Sequence, residues 1–332
     1  MKLKKLVALA LCGAMALSFA GCGSVKDDSA KGGKEGKKYK VGILQFAEFT
    51  ALQKACDGFK DELKEQGLDV DYNYQCAAAD TANCPTIADT LVNDGSDLIL
   101  AIATPAASAV KEKTMDIPVL FTAVTDPADS DLVESNDAPG ANLTGTSDMN
   151  PIEAQIDLLL QVLPDSKKVA VMYCSSESNS VTQYEKAKEV LEGKNIEVVQ
   201  KTISEIAEAK SAVESLKGQV DAIYIPTDNT IADGMTSVSE AANACKLPVV
   251  CGESGMVESG GLMTYGIDYY ELGKQTGKMA AKILADGEKP ETMPVEYQTD
   301  TNILQITVNQ TTADEIGVTI PQEVLDKATV VK

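Results

Sequence analysis

The sequence predicts the α/β class, arranged as two doubly wound lobes, each built on a parallel sheet. Three observations carry that expectation. From Tyr39 onward, short apolar runs alternate with amphipathic stretches of helical period. The cycle restarts after a polar break at Asp148-Met149-Asn150-Pro151. Finally, the roughly 290 residues of this body exceed what one hydrophobic core usually organises.

The first lobe opens with strand 40–46, helix 50–66, strand 69–75 and helix 81–93. Strand 97–103 then ends at Thr104-Pro105, a helix runs to Lys113, and 118–124 is strand again. Repeated βαβ units of this kind give parallel pairing with helices on both faces, through right-handed crossovers. The second lobe reads helix 151–162, strand 168–174, helix 179–192, strand 196–201, helix 204–216, strand 220–226, helix 230–245 and strand 248–251. After these come strand 261–265, helix 270–285, a strand near 303–308 and a short helix from Thr311.

The N-terminus has a different character. Lys2, Lys4 and Lys5 precede an apolar run, 6–19, and then Ala20-Gly21-Cys22: charged region, apolar region and small-residue cleavage site of a secretory signal spanning 1–21. The run is shorter than the ~20 apolar residues that a membrane-spanning helix needs. Phe19-Ala20-Gly21-Cys22 resembles the bacterial lipobox, with Phe where Leu is usual. It implies lipidation of Cys22 and a membrane anchor through acyl chains. Residues 22–38 are rich in Gly, Ser, Lys and Asp, the composition of a flexible tether.

Composition narrows the chemistry further. Without 1–21 the chain has 26 lysines against 50 acidic residues, a net charge of about −24, which argues against nucleic acid as a partner. The chain has no Arg, His or Trp, so no His-based catalytic pair or zinc site exists and no metal is expected. Beyond Cys22, six cysteines remain in the body. Cys76 with Cys84 and Cys245 with Cys251 are the nearest candidates for bridges, and buried free thiols are the open alternative.

In open parallel sheets, ligands bind beyond the carboxyl ends of the strands. The residues that follow the expected strands are small and polar: Thr104-Pro105-Ala106, Thr125-Asp126-Pro127, 175–180, Thr227-Asp228-Asn229 and Glu253-Ser254. Two α/β halves with such ends describe a clamp.

Several blocks resemble one family in the family's order. They are 97–107 (DLILAIATPAA), 117–127 (IPVLFTAVTDP) and 139–148 (PGANLTGTSD), then 171–180 (VMYCSSESNS), 221–230 (DAIYIPTDNT) and 265–279 (YGIDYYELGKQTGKM). The resemblance covers residues 40–321 and is to the ABC-transporter substrate-binding proteins that include tryptophan-type and other aromatic amino-acid binding lipoproteins. It implies a type I periplasmic-binding-protein clamp, with crossings near 146–150, 266–269 and Thr299. Lobe 1 would then be 39–146 plus 268–299, and lobe 2 would be 147–267 plus 300–332. Phe49-Thr50 stands where the family often has His-Pro, and Val308-Asn309-Gln310 where it has an Asn-Leu-Lys-like motif. The first departure touches the cleft and bears on the ligand.

Without Arg or His, a ligand carboxylate would be held by backbone N–H groups at helix N-termini. Thr104-Pro105-Ala106 offers one such end and Ser178-Asn179-Ser180 another, one in each lobe. The ammonium of a zwitterion needs a carboxylate: Asp228 or Asp268, with Asp126 and Glu253 in reserve. Thr125, Thr227 and Asn229 complete the candidate polar lining, and Phe46 and Phe49 the apolar wall. Each has a plain structural alternative: Thr104 and Ser178 as helix caps, Asp126-Pro127 as a turn, Phe46 as core.

Motifs of catalysis are incomplete. Residues 273–279 (GKQTGKM) have three residues between the glycines where a phosphate loop has four, and residues 252–256 (GESGM) lack the final Gly of a nucleophile elbow. The expectation is therefore a non-enzymatic, cofactor-free, monomeric solute receptor. It would work at the outer face of the cell membrane, deliver an apolar or aromatic amino acid to a permease driven by an ATPase, and hold no nucleic acid. The alternatives are a sugar or nucleoside receptor, and a surface lipoprotein that presents its ligand to a sensor or acts as an adhesin.

Overall fold

The protein is described by a computed structural model over residues 37–298 and 304–332. The expected signal segment, Cys22, the tether up to residue 36 and the crossing at Thr299 lie outside the described residues. The chain begins β1 (Lys38–Gln45), α1 (Thr50–Glu65), β2 (Asp69–Cys76), α2 (Cys84–Asn93), β3 (Leu98–Ile102), α3 (Thr104–Lys111), β4 (Val119–Val124) and β5 (Leu143–Ser147). It continues with α4 (Ile152–Val162), β6 (Lys168–Cys174), α5 (Ser178–Gly193), β7 (Glu197–Ile203), α6 (Ala209–Ser215), β8 (Ala222–Ile225), α7 (Asn229–Asp233), α8 (Met235–Cys245), β9 (Val249–Cys251), α9 (Ser254–Glu258) and β10 (Met263–Gly266). It closes with α10 (Tyr269–Ala281), β11 (Glu296–Tyr297), β12 (Gln305–Asn309), α11 (Gln310–Ile316), α12 (Gln322–Leu325) and β13 (Ala328–Val331).

These strands form two sheets, in the orders β11-β5-β4-β3-β1-β2 and β13-β12-β10-β9-β8-β6-β7. The first is parallel throughout. The second is parallel except where β12 runs antiparallel to β10, so the all-parallel lobe expected from the sequence is corrected at this edge. The reason is topological. β10 ends at Gly266, the chain then adds β11 to the first sheet, and β12 begins with Gln305 paired to Gly266, so it runs back alongside β10. In each sheet one strand is flanked by neighbours reached in opposite directions: β1 pairs with β2 and β3, and β6 with β7 and β8. Crevices open at the carboxyl ends of such switch points.

The core follows this division. One apolar cluster lies around the first sheet and two cover the faces of the second. Every residue of β3, sequence LILAI, is buried, as suits a strand covered on both faces. α10 lies against α1 at very short range: a Cβ on Gly273 would fall 2.0 Å from the Ala55 carbonyl oxygen, and one on Gly58 would fall 2.1 Å from that of Tyr270. This contact ties the helix that follows the second crossing firmly to the first lobe.

Several expected elements are corrected. The long helix 230–245 is two helices meeting at Gly234, where a Cβ would stand 2.2 Å from Ile206 Cγ1, so the chain bends at a point of close packing. The helix expected from Ser204 begins only at Ala209, after a 3₁₀ turn at Ile206–Glu208. The five-residue α9 and the edge strand β13 carried too little periodicity to be expected.

Candidate functional site: the cleft between the lobes

Strand ends from both sheets meet across a cleft, and the backbone there is unusual. Ala78 and Ala79 after β2, Ala103 after β3 and Ala123 near the end of β4 all have φ between 55° and 83°. Non-glycine residues rarely adopt this region, and such outliers gather at functional sites. Ala123 sits where the β4–β5 register shifts between Phe121 and Val124, an irregularity that re-aims Thr125 and Asp126.

The lobes are in contact. Gln183 Nε2 donates to Thr125 Oγ1 across the cleft at 3.4 Å, and Lys186 pairs with Asp126 at 3.3 Å. A second inter-lobe ion pair joins Lys54 of α1 to Glu258 of α9 at 3.1 Å. Phe49 packs on the core clusters of both lobes, and a Cβ on Gly255 would stand 3.0 Å from Thr50 Cβ. This is a clamp with its jaws together.

Three cavities are lined by both lobes. One, of about 340 Å³, lies at the hinge between Lys54, Asp268 and Tyr269 of lobe 1 and Ser254, Glu258 and Thr307 of lobe 2. The other two flank the contact. Of these two the first, of about 270 Å³, is lined from lobe 1 by Thr104, Pro105 and Ser108 and from lobe 2 by Glu177, Ser178 and Asn179. Two helix N-termini therefore face it, α3 and α5, and neither has a side-chain cap. Their free N–H groups and positive dipole ends suit an anion. The second, of about 230 Å³, is lined by Glu48, Phe49 and Thr50 and by Ala232, Asp233 and Glu253.

The candidate carboxylates are already engaged by the protein. Asp228, 1% exposed, accepts from Cys174 N at 2.6 Å and from Ile231 N at 2.8 Å, capping α7. Burial first, and then the Glu177 charge, push its carboxyl up to about 7. Glu253 caps α9 through Gly255 N and Met256 N, and burial raises it to about 7 as well. Asp268 caps α10 through Tyr270 N and Glu271 N. Asp126 accepts from Asn136 Nδ2 and Asp129 N besides its ion pair.

The remaining candidates divide. Thr104 and Asn179 are buried and line the first cavity with the half-buried Pro105 and the exposed Ser178. Thr125 and Thr227 lie within the inter-lobe network, while Asn229 donates to Glu177 through both its backbone and side-chain nitrogens. Ser180 is fully buried beside Asn179. Phe46 and Ala106 are packed in the core of lobe 1.

Sequence reasoning did not single out several residues that the fold brings to this place. Asp148, in the first crossing, is 2% exposed; its Oδ2 accepts from the Tyr269 hydroxyl at 2.8 Å, while its Oδ1 has no partner among the described residues. Burial raises its carboxyl above the usual range, against the hydrogen bond from Tyr269 that pulls it down. Asn179 Oδ1 is likewise buried without a partner among the described residues, its amide nitrogen being engaged by Glu177, Ser180 and Thr227. Glu177 anchors the start of α7 through Asn229 and Thr230. Gln183 grips the Thr227 backbone twice, donating to its oxygen at 2.9 Å and accepting from its N–H at 3.1 Å. The available signal was spacing: 179, 183 and 186 share one face of α5, and that face looks across the cleft.

Comparison with known proteins agrees with this geometry. Residues 40–332 match the family described as ABC transporter substrate binding protein. A tyrosine-binding protein of Clostridioides difficile is 37% identical over 314 residues, covering 91% of this chain and 90% of its own. A domain from Streptococcus pneumonia in complex with L-Trp is 36% identical with a TM-score of 0.85, covering 89% of this chain and 100% of its own. A ligand-free, open structure of a substrate binding protein with adhesive properties from Clostridium difficile is 38% identical, but its TM-score is 0.69, over 89% of this chain and 99% of its own. At nearly equal identity the better superposition is on the ligand-bound chain, in agreement with the bonds between the lobes. Fold, clamp geometry and a match over almost the whole described body lead to one assignment: the chain belongs to the ABC transporter substrate binding proteins, a family of solute receptors and not of enzymes.

Proposed function

We propose that the protein is an extracytoplasmic lipoprotein, anchored through Cys22, that captures an apolar or aromatic amino acid and delivers it to the permease of an ABC importer. Residues 39–146 plus 268–299 act as one jaw, and 147–267 plus 300–332 as the other. The observation that carries the ligand class is Asp148, a buried carboxylate with one oxygen held by Tyr269 and the other without a partner among the described residues. A buried charge needs a counter-charge, and the ligand ammonium supplies it. Asn179 Oδ1, a second buried acceptor without a partner among the described residues, takes a further polar hydrogen of the ligand. The ligand carboxylate lies at the uncapped N-termini of α3 and α5, and Phe49, which reaches both cores, stands beside the side chain. A tyrosine-binding relative and a relative in complex with L-Trp support this class.

The test is a thermal-shift screen of residues 24–332, unfolded and refolded to strip carried-over ligand, against the twenty amino acids, common sugars and nucleosides. A ligand at a hundredfold excess over its Kd stabilises by about 2.7 kcal/mol. A shift confined to tyrosine, tryptophan or a few related amino acids is the expected result. A shift with sugars or nucleosides alone refutes the amino-acid assignment.

A further inference from the structure

We infer that Lys186 and Asp126 form a closure latch, an ion pair made only when the lobes meet, which sets how long the ligand stays bound. This rests on the amino-acid reading above.

The two side chains come from opposite jaws and lie 3.3 Å apart. Asp126 is held in place by its own lobe. Asp126 follows the irregular end of β4; its Oδ1 accepts from Asn136 Nδ2 at 3.2 Å and from Asp129 N at 3.3 Å, leaving Oδ2 for the lysine. The preceding residue is braced too, because Ser147 Oγ donates to the Thr125 carbonyl at 2.6 Å. On the other jaw, Lys186 stands three residues after Gln183, whose amide is fixed by the Thr227 backbone and also reaches Thr125. The 183–125 and 186–126 contacts are thus successive rungs between one face of α5 and one loop of lobe 1.

The lysine side chain is 44% exposed and the aspartate 18%, so the pair is partly screened, contributes modestly and responds to salt. Neither rung exists while the jaws are apart. The pair therefore leaves ligand entry alone and slows reopening, which places its effect in the dissociation rate.

The chain contains no Trp, so the fluorescence of L-tryptophan reports the ligand without background from protein indole. Stopped-flow release of L-tryptophan is measured for wild type, Lys186→Arg, Lys186→Met and Lys186→Glu, with salt raised from about 10 mM to about 1 M. The arginine variant should release within about twofold of wild type, the methionine variant about threefold faster and the glutamate variant about tenfold faster, with association rates unchanged. Wild-type release should quicken with salt more steeply than that of the methionine variant, which keeps the Lys54–Glu258 pair. Equal release rates across the four proteins, or equal salt slopes for wild type and Lys186→Met, overturn the latch while the amino-acid reading stands. A wild-type protein that captures no apolar or aromatic amino acid refutes that reading itself, and the latch with it.

Discussion

The Tyr269 hydroxyl donates to Asp148 Oδ2 at 2.8 Å, joining the first residue of α10 to the first crossing between the lobes and leaving Oδ1 as the unpaired half of a buried carboxylate. Removing the charge while keeping the shape, Asp148→Asn, should weaken amino-acid binding about a hundredfold by calorimetry, because the ammonium is left without its counter-charge. Tyr269→Phe should cost about tenfold, the value of one hydrogen bond to a charged group.

The same carboxylate predicts how binding follows pH. Asp148 binds an ammonium only when ionised, and burial has raised its pKa above the ordinary carboxylate value. Affinity should be constant at neutral pH and fall on acidification, with the fall starting at a higher pH than an unperturbed aspartate would give. Calorimetric titration across the acid range checks this. An affinity that holds down to about pH 4 contradicts it.

Stability should follow pH in the opposite direction. Asp228 and Glu253 are raised to about 7, so between their unfolded values near 4 and about 7 the folded chain holds protons that the unfolded chain has released. Their contribution is complete below that window and is lost as pH rises through 7. Ligand-free protein should therefore lose stability across this window in urea titrations. Asp228→Ser, which keeps a capping hydroxyl for Ile231 N, should flatten the slope.

The contact between α1 and α10 allows a sharp steric test. Gly273→Ala places a methyl 2.0 Å from the Ala55 carbonyl oxygen and should destabilise by about 3 kcal/mol or prevent folding. Gly193→Ala, where nothing lies within 4 Å of the added carbon, should melt within about 0.5 kcal/mol of wild type.

The bridges considered for Cys76 with Cys84 and for Cys245 with Cys251 are not formed: these four cysteines, with Cys56 and Cys174, are free among the described residues. Alkylation of unfolded, unreduced protein spanning 24–332 should label six thiols, and reductant should not shift the melting temperature. In the folded protein Cys84 should react slowly, because burial raises its thiol to about 11.

The fold class was legible because strand and helix alternate with different periods, and because runs such as LILAI are hydrophobic without a break. The order of the outer strands was not, since β12 takes its direction from a crossing that leaves no periodic mark. At the cleft, Thr104, Pro105, Ser178 and Asn179 were readable as the first residues after strands, and they line one cavity. Asp148 stood in the polar break between the lobes, and Gln183 and Lys186 inside the expected helix 179–192. Their partners are distant in sequence, Tyr269 for Asp148, Thr227 and Thr125 for Gln183 and Asp126 for Lys186, and local pattern cannot report them. The acids named for the ammonium were conspicuous for a second reason: a carboxylate just after a strand is also well placed to cap the next helix, as Asp228 and Glu253 do.

The glycine contacts of α10 bear on how the jaws travel. With backbone against backbone, α10 and α1 have no room to slide, so a torque applied at Tyr269 is passed whole to the first jaw. Among the described residues the swing is thereby confined to the few bonds between Gly266 and Asp268 and to the crossing at 146–150. α10 is in effect a rigid handle that turns with the first jaw as one body.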